Sequence, residues 1–117
     1  MKYVSTRDKE NFISPSKAII QGLSKDGGLF VPIELPKISL EDIVDMDYKE
    51  LAYHIMSKFF TDFEEDVLKS CIEKAYDKKF DSDEIAPIKK IGTSYFLELY
   101  HGPTLAFKDM ALSILPY

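Results

Sequence analysis

The stretch Tyr95-Phe96-Leu97-Glu98-Leu99-Tyr100-His101-Gly102-Pro103-Thr104-Leu105-Ala106-Phe107-Lys108-Asp109 passes from strand through turn to helix, and the rest of the chain is read outward from it. Alternation from Tyr95 to Tyr100 predicts a strand with Tyr95, Leu97 and Leu99 on one face. Gly102-Pro103 breaks that strand, because proline lacks a backbone N–H and fixes its own φ. Thr104 is positioned to cap, and Leu105 to Leu115 predict a helix that stops at Pro116. Ile88-Lys89-Lys90-Ile91 and a Gly92-Thr93 turn supply the first strand of a hairpin. A lysine in the first turn of a helix sits among unpaired N–H groups at the positive end of the dipole, which disfavours its ammonium form. The neutral amine is the form that condenses with an aldehyde, and the same N–H groups favour a phosphate nearby. On composition alone, Lys108 reads as a surface cation.

Towards the amino terminus the pattern changes. Lys2 to Ser5 alternate as a short edge strand before a charged loop, Arg7 to Asn11. Ser14-Pro15 reads as an N-cap followed by proline at the first helical position, with Ala18, Ile19 and Leu23 as the apolar face. Gly22 and Gly27-Gly28 end that helix, and Leu29 to Pro32 is a brief extended segment. Pro32 to Pro36 forms a rigid connector to a helical block with three start signals: Ser39 before Asp42, Asp47 before Glu50, and Thr61 before Glu64. Thr61 is the clearest capping box of the three. Tyr48, Leu51, Ala52, Ile55, Met56, Phe59 and Phe60 make one helical stripe. Phe63, Val67, Leu68, Cys71, Ile72, Ala75 and Tyr76 make a second, predicting two antiparallel helices with buried faces. The acidic run Asp81 to Glu84 closes the block as a solvated linker.

The 117 residues are 45% hydrophobic and carry 15 Lys and Arg against 20 Asp and Glu, a net charge of −5 with the signs interspersed. That balance suits a folded domain and disfavours a nucleic-acid partner, which calls for a basic stripe. No signal-like segment or apolar run of membrane-spanning length occurs, so a cytoplasmic location with no membrane association is expected. Cys71, the single cysteine, excludes an internal disulfide, and one Cys with two distant His residues, His54 and His101, makes no metal motif.

The segment Glu98 to Asp109 resembles the cofactor-lysine segment of threonine synthases. Two earlier stretches agree in order. Tyr3-Val4-Ser5-Thr6-Arg7 is similar to the family's opening strand, and Gly22 to Pro32 resembles its Gly-rich turn, so the resemblance spans the chain. Asp8 departs from it, standing where the family's opening motif commonly has Gly, which bears on the backbone after Arg7. The resemblance implies an α/β fold: a small helix-rich amino-terminal domain, residues 1–86, then the first strands and helix of a fold-type II pyridoxal phosphate domain, residues 87–117, left incomplete.

It implies a lyase that converts O-phospho-L-homoserine and water to L-threonine and phosphate, the last step of threonine biosynthesis. Lys108 would hold pyridoxal 5'-phosphate and then shuttle protons on the substrate. His101, Thr104 and Arg7 are the substrate-binding candidates. His101 stands in the turn before the lysine, while Arg7 offers a planar guanidinium to phosphate or carboxylate. Asp26-Gly27-Gly28 reads first as a turn, and Asp109 as a group that answers the helix dipole or orients its neighbours. In the family the phosphate loop lies beyond this point, so the fragment alone is expected to be inactive, to retain cofactor weakly and to self-associate through the hairpin edge. The competing readings are a phospholyase acting on another phosphorylated amino compound with the same lysine, and a non-catalytic helical interaction module.

Overall fold

A computed structural model describes residues 1–117. The elements run β1 (Tyr3–Ser5), α1 (Pro15–Gln21), β2 (Phe30–Pro32), α2 (Tyr48–Phe59), α3 (Glu65–Ala75), β3 (Ile88–Ile91), β4 (Ser94–Leu97) and α4 (Asp109–Leu112). No helix is long and apolar enough to cross a membrane. Contacts divide the chain into two compact units. One comprises Met1–Val44 with His54–Glu65, the other Asp45–Tyr53 with Asp66–Tyr117.

In the first unit, β1 pairs antiparallel with β2, setting Val4 opposite Val31 and Ser5 opposite Phe30. Tyr3 and Ile13 exchange two backbone bonds of 2.9 Å. Proline at the first position starts α1 as expected, but the Ser14 hydroxyl makes no cap bond to the backbone. The Asp62 carboxylate does that work, accepting from Ser16 N at 3.2 Å and Ser16 Oγ at 2.6 Å. Gly22 ends the helix at φ +71°, and its N–H reaches Ala18 O at 3.0 Å. The interior of this unit is small: Val4, Ser5, Pro15, Ala18 and Gly28 are buried.

In the second unit, the first half of α2 runs antiparallel to α3. Tyr48 meets Tyr76 edge-on with ring centroids 4.9 Å apart, Lys49 pairs with Glu73 at 2.5 Å, and the Lys69 ammonium lies 4.8 Å from the Tyr53 ring centroid. Leu68, Ile72, Ala75 and Tyr76 are buried, joined by Phe80 and Ile85. Burying each large apolar side chain stabilises by roughly 1.5–3 kcal/mol, so this cluster is the main core of the unit. The α2 stripe differs from expectation, since no residue of that helix is fully buried. In the α3 stripe, Val67 stays 50% exposed and Cys71 is half-buried.

The start signals sort by geometry. Asp47 and Glu50 form a reciprocal capping box, with Glu50 N donating to Asp47 Oδ1 at 2.8 Å and Asp47 N to Glu50 Oε2 at 3.0 Å. Thr61, at the same spacing from Glu64, makes no such box. Its hydroxyl accepts from the Met1 amino group at 2.5 Å, and α3 starts only at Glu65. Ser39 opens turns and no helix.

The expected hairpin forms, its register running from Ile88 opposite Leu97 to Ile91 opposite Ser94, with Gly92 at φ +61° in the turn. Its second strand ends at Leu97, and all of β3 and β4 is exposed, including Ile91, Tyr95 and Leu97. The expected Leu105–Leu115 helix contracts to α4. Leu105 has φ +58°, a left-handed conformation that an α-helix does not admit.

Replacing Asp47 with Ala is expected to lower stability by about 1 kcal/mol, whereas Thr61→Ala should cost less because Thr61 caps nothing. Urea melts of the two variants decide this, and equal losses would contradict the assignment of caps.

Candidate functional site

The segment from Gly102 to Lys108 folds around one carboxylate. Asp109 is 5% exposed. Its Oδ2 accepts from Thr104 N at 2.7 Å and its Oδ1 from Thr104 Oγ1 at 2.6 Å. The Thr104 hydroxyl, and then the Thr104 backbone N–H, hold the carboxyl below the usual carboxylate range. Gly102 is buried against it, and a Cβ there would lie 2.5 Å from Asp109 Cβ and 2.6 Å from Oδ2. A glycine is therefore required where the loop passes its carboxylate. Thr104 donates to Asp109, so it does not cap the helix as expected.

Lys108 takes the N-cap position of α4 with φ −61° and ψ −25°, and it is exposed. Its carbonyl accepts from Ala111 N at 3.1 Å and Leu112 N at 2.9 Å. The dipole expected of a long helix shrinks with α4 to a single turn, and the Asp109 charge sits beside that end. From the α3 side, Tyr76 Oη donates to Met110 O at 2.7 Å and holds the start of α4.

His101 is clamped between two acids. Its Nδ1 lies 2.5 Å from Asp81 Oδ1 and its Nε2 2.9 Å from Glu98 Oε2, with the side chain 17% exposed. Asp81 N also donates to His101 O at 3.0 Å, and the Tyr100 ring stacks on the imidazole at 4.8 Å. The bond to Glu98, then that to Asp81, raises the imidazole pKa, and the bond from His101 lowers that of Glu98. The pair of acids was not visible as a site in the sequence, because Asp81 reads there as part of a solvated run.

Arg7 belongs to the first unit. The Asp26 carboxylate accepts from Ser5 Oγ and from Gly28 N, each at 2.8 Å, while Arg7 Nη1 donates to Asp26 O at 3.0 Å. The Gly28 N–H, then the Ser5 hydroxyl, hold Asp26 below the usual range. Thr6 Oγ1 accepts from Leu29 N at 3.1 Å. Ser5-Thr6-Arg7 and Asp26-Gly27-Gly28 are therefore one structure, and the departure at Asp8 is absorbed locally, as its Oδ1 accepts from Glu10 N at 2.9 Å. A cleft of about 370 Å³ beside this turn is lined by Asn11, Phe12, Lys25, Asp26 and Phe30. A larger cleft of about 480 Å³, lined by Tyr48, Lys49, Glu73, Tyr76 and Asp83, holds none of the expected site residues.

The chain is mixed α/β and presents a lysine behind a Gly-Pro-Thr turn. Residues 2–76 match the family described as "Threonine synthase N terminus". Threonine synthase of Pseudomonas aeruginosa is 41% identical over 98% of this chain. The crystal structure of threonine synthase from yeast superposes with a TM-score of 0.89 at 37% identity, covering 97% of this chain and 25% of that one. The structure of PLP-bound threonine synthase from Brucella melitensis gives 0.89 at 36% identity, covering 98% and 26%. The chain spans about a quarter of the length of the Pseudomonas relative. This chain belongs to the threonine synthase family and corresponds to its amino-terminal region.

Two outcomes check the geometry. Gly28→Ala places a Cβ onto Ser5 Oγ and is expected to destabilise by about 1–3 kcal/mol. Adding Ser5→Ala should recover part of that loss in thermal melts, and strictly additive losses would refute the clash. The raised His101 pKa contributes stability fully below the ordinary imidazole value, and this is lost as pH rises through the raised value. The lowered Glu98 pKa contributes above the ordinary carboxylate value, and this is lost as pH falls through the lowered one. The stability gap between wild type and His101→Gln should therefore be wider at about pH 5.5 than at about pH 8.5 in urea melts, and a flat gap would count against the clamp.

Proposed function

We propose that this chain is the amino-terminal part of a threonine synthase that turns O-phospho-L-homoserine and water into L-threonine and phosphate, with Lys108 as the attachment point for pyridoxal phosphate. The observation that carries this reading is the Lys108 side chain, exposed at the head of α4 on a loop held by Asp109, in a chain whose family membership rests on nearly its full length. An aldehyde cofactor requires a primary amine that can reach it, and Lys108 offers one. The cofactor supplies the electron sink when bound, and the protein contributes orientation and proton handling. The Lys108 Nζ carries protons to and from the substrate carbons.

Thr104 acts by holding the loop through Asp109. His101 has both ring nitrogens engaged by acids, so it contacts substrate only by releasing Asp81 or Glu98. The exposed Arg7 offers its guanidinium to a substrate phosphate or carboxylate. Residues 1–86 form the amino-terminal domain of the longer enzyme, and residues 87–117 begin its cofactor domain. The 117-residue chain alone is inactive, retains cofactor weakly and self-associates through its exposed hairpin. The enzyme works in the cytoplasm, with a small-molecule substrate.

Borohydride reduction of the intact protein with pyridoxal phosphate should place the label on Lys108 by peptide mapping. Lys108→Ala should abolish both the bound-cofactor absorbance and turnover of O-phosphohomoserine. Retained turnover in that variant would refute the assignment. Preference for phosphoethanolamine in the wild type would instead mark a phospholyase of different substrate.

A further inference from the structure

A buried charge sits next to the lysine, and its hold on the loop bears on how the amine is presented. Burying a carboxylate is costly unless hydrogen bonds compensate, and each oxygen of Asp109 accepts from Thr104. Gly102 lets the loop close on it, and Tyr76 fixes the carbonyl of the next residue, Met110. The chain is thus anchored at two consecutive positions immediately after Lys108, while the Lys108 side chain stays exposed. Those anchors fix the direction in which the Lys108 Cα–Cβ bond leaves the backbone.

We propose that Asp109 is a positioning residue for Lys108: its buried carboxylate templates the loop from Gly102 to Lys108 and so presents the amine in one orientation. The role rests on the functional reading above and adds to it a residue that touches neither substrate nor cofactor.

The test exposes the intact protein briefly to pyridoxal phosphate, reduces it with borohydride, and maps the label at Lys108 relative to Lys37 in the same digest. Asp109→Ala is expected to lower that ratio about tenfold or more, since misplacing a reacting group by about an ångström carries a penalty of that order. Asp109→Asn, which accepts from Thr104 N and donates to Thr104 Oγ1, should restore it. Thr104→Val loses the hydroxyl bond alone and should give an intermediate ratio, which keeps the test open where Asp109→Ala fails to fold. A general loss of stability would lower labelling at neither lysine selectively. An unchanged ratio in Asp109→Ala, or in Thr104→Val where it must stand in, overturns the positioning role. So does an Asn variant as poor as Ala, because charge rather than loop geometry would then be acting. Wild-type label concentrated on a lysine other than 108, with Lys108 labelled no more than Lys37, overturns the functional reading itself, and this role with it.

Discussion

A carboxylate wrapped by its own loop is the constraint on which the lysine-bearing end of this chain depends. Asp109 accepts both the N–H and the hydroxyl of Thr104, and the loop approaches it so closely at Gly102 that no side chain fits there. Leu105 is driven into the left-handed region within that loop, and α4 is left with a single turn. Local helix propensity favours a longer helix. The hydrogen bonds to a buried charge, each stronger than a neutral one, outweigh that preference.

The same device appears in the first unit. Asp26 accepts the Ser5 hydroxyl and the Gly28 N–H, and Gly28 has no room for a Cβ because Ser5 Oγ and Asp26 Oδ1 occupy it. Arg7 then donates to the Asp26 carbonyl. In both places an aspartate organises the backbone and a glycine permits the approach, and in both the residue of chemical interest, Arg7 or Lys108, stays exposed. The three stretches that resemble the family thus form two local mounts, one for Arg7, which is tied to the Asp26 carbonyl, and one for the exposed Lys108.

Packing is less generous than this local order. The Leu68, Ile72, Ala75 and Tyr76 cluster is well buried, whereas both strands of the hairpin lie open, with Tyr95 and Ile91 each 67% exposed. Exposed apolar strands of this kind are ordinarily covered by further chain or by a partner. The Pseudomonas relative is about four times as long as this chain.

Short-range chemistry was legible in the residues themselves. Proline at the head of α1, glycine at its end, the Asp47–Glu50 box and the hairpin with its Gly92 turn all depend on neighbours a few positions apart, and spacing encodes such neighbours directly. What the folded chain alone decided involves partners distant in sequence. Asp62 rather than Ser14 serves the start of α1, Thr61 turns to the amino terminus instead of capping α3, and His101 meets Asp81, 20 residues away. Asp109 lies only five residues from Thr104, yet the pairing of the two stayed hidden, because a carboxylate that folds back on its own loop leaves no periodic trace. Periodicity reports which side of an element is apolar; which polar groups meet depends on how the backbone closes, and only the tertiary structure holds that information.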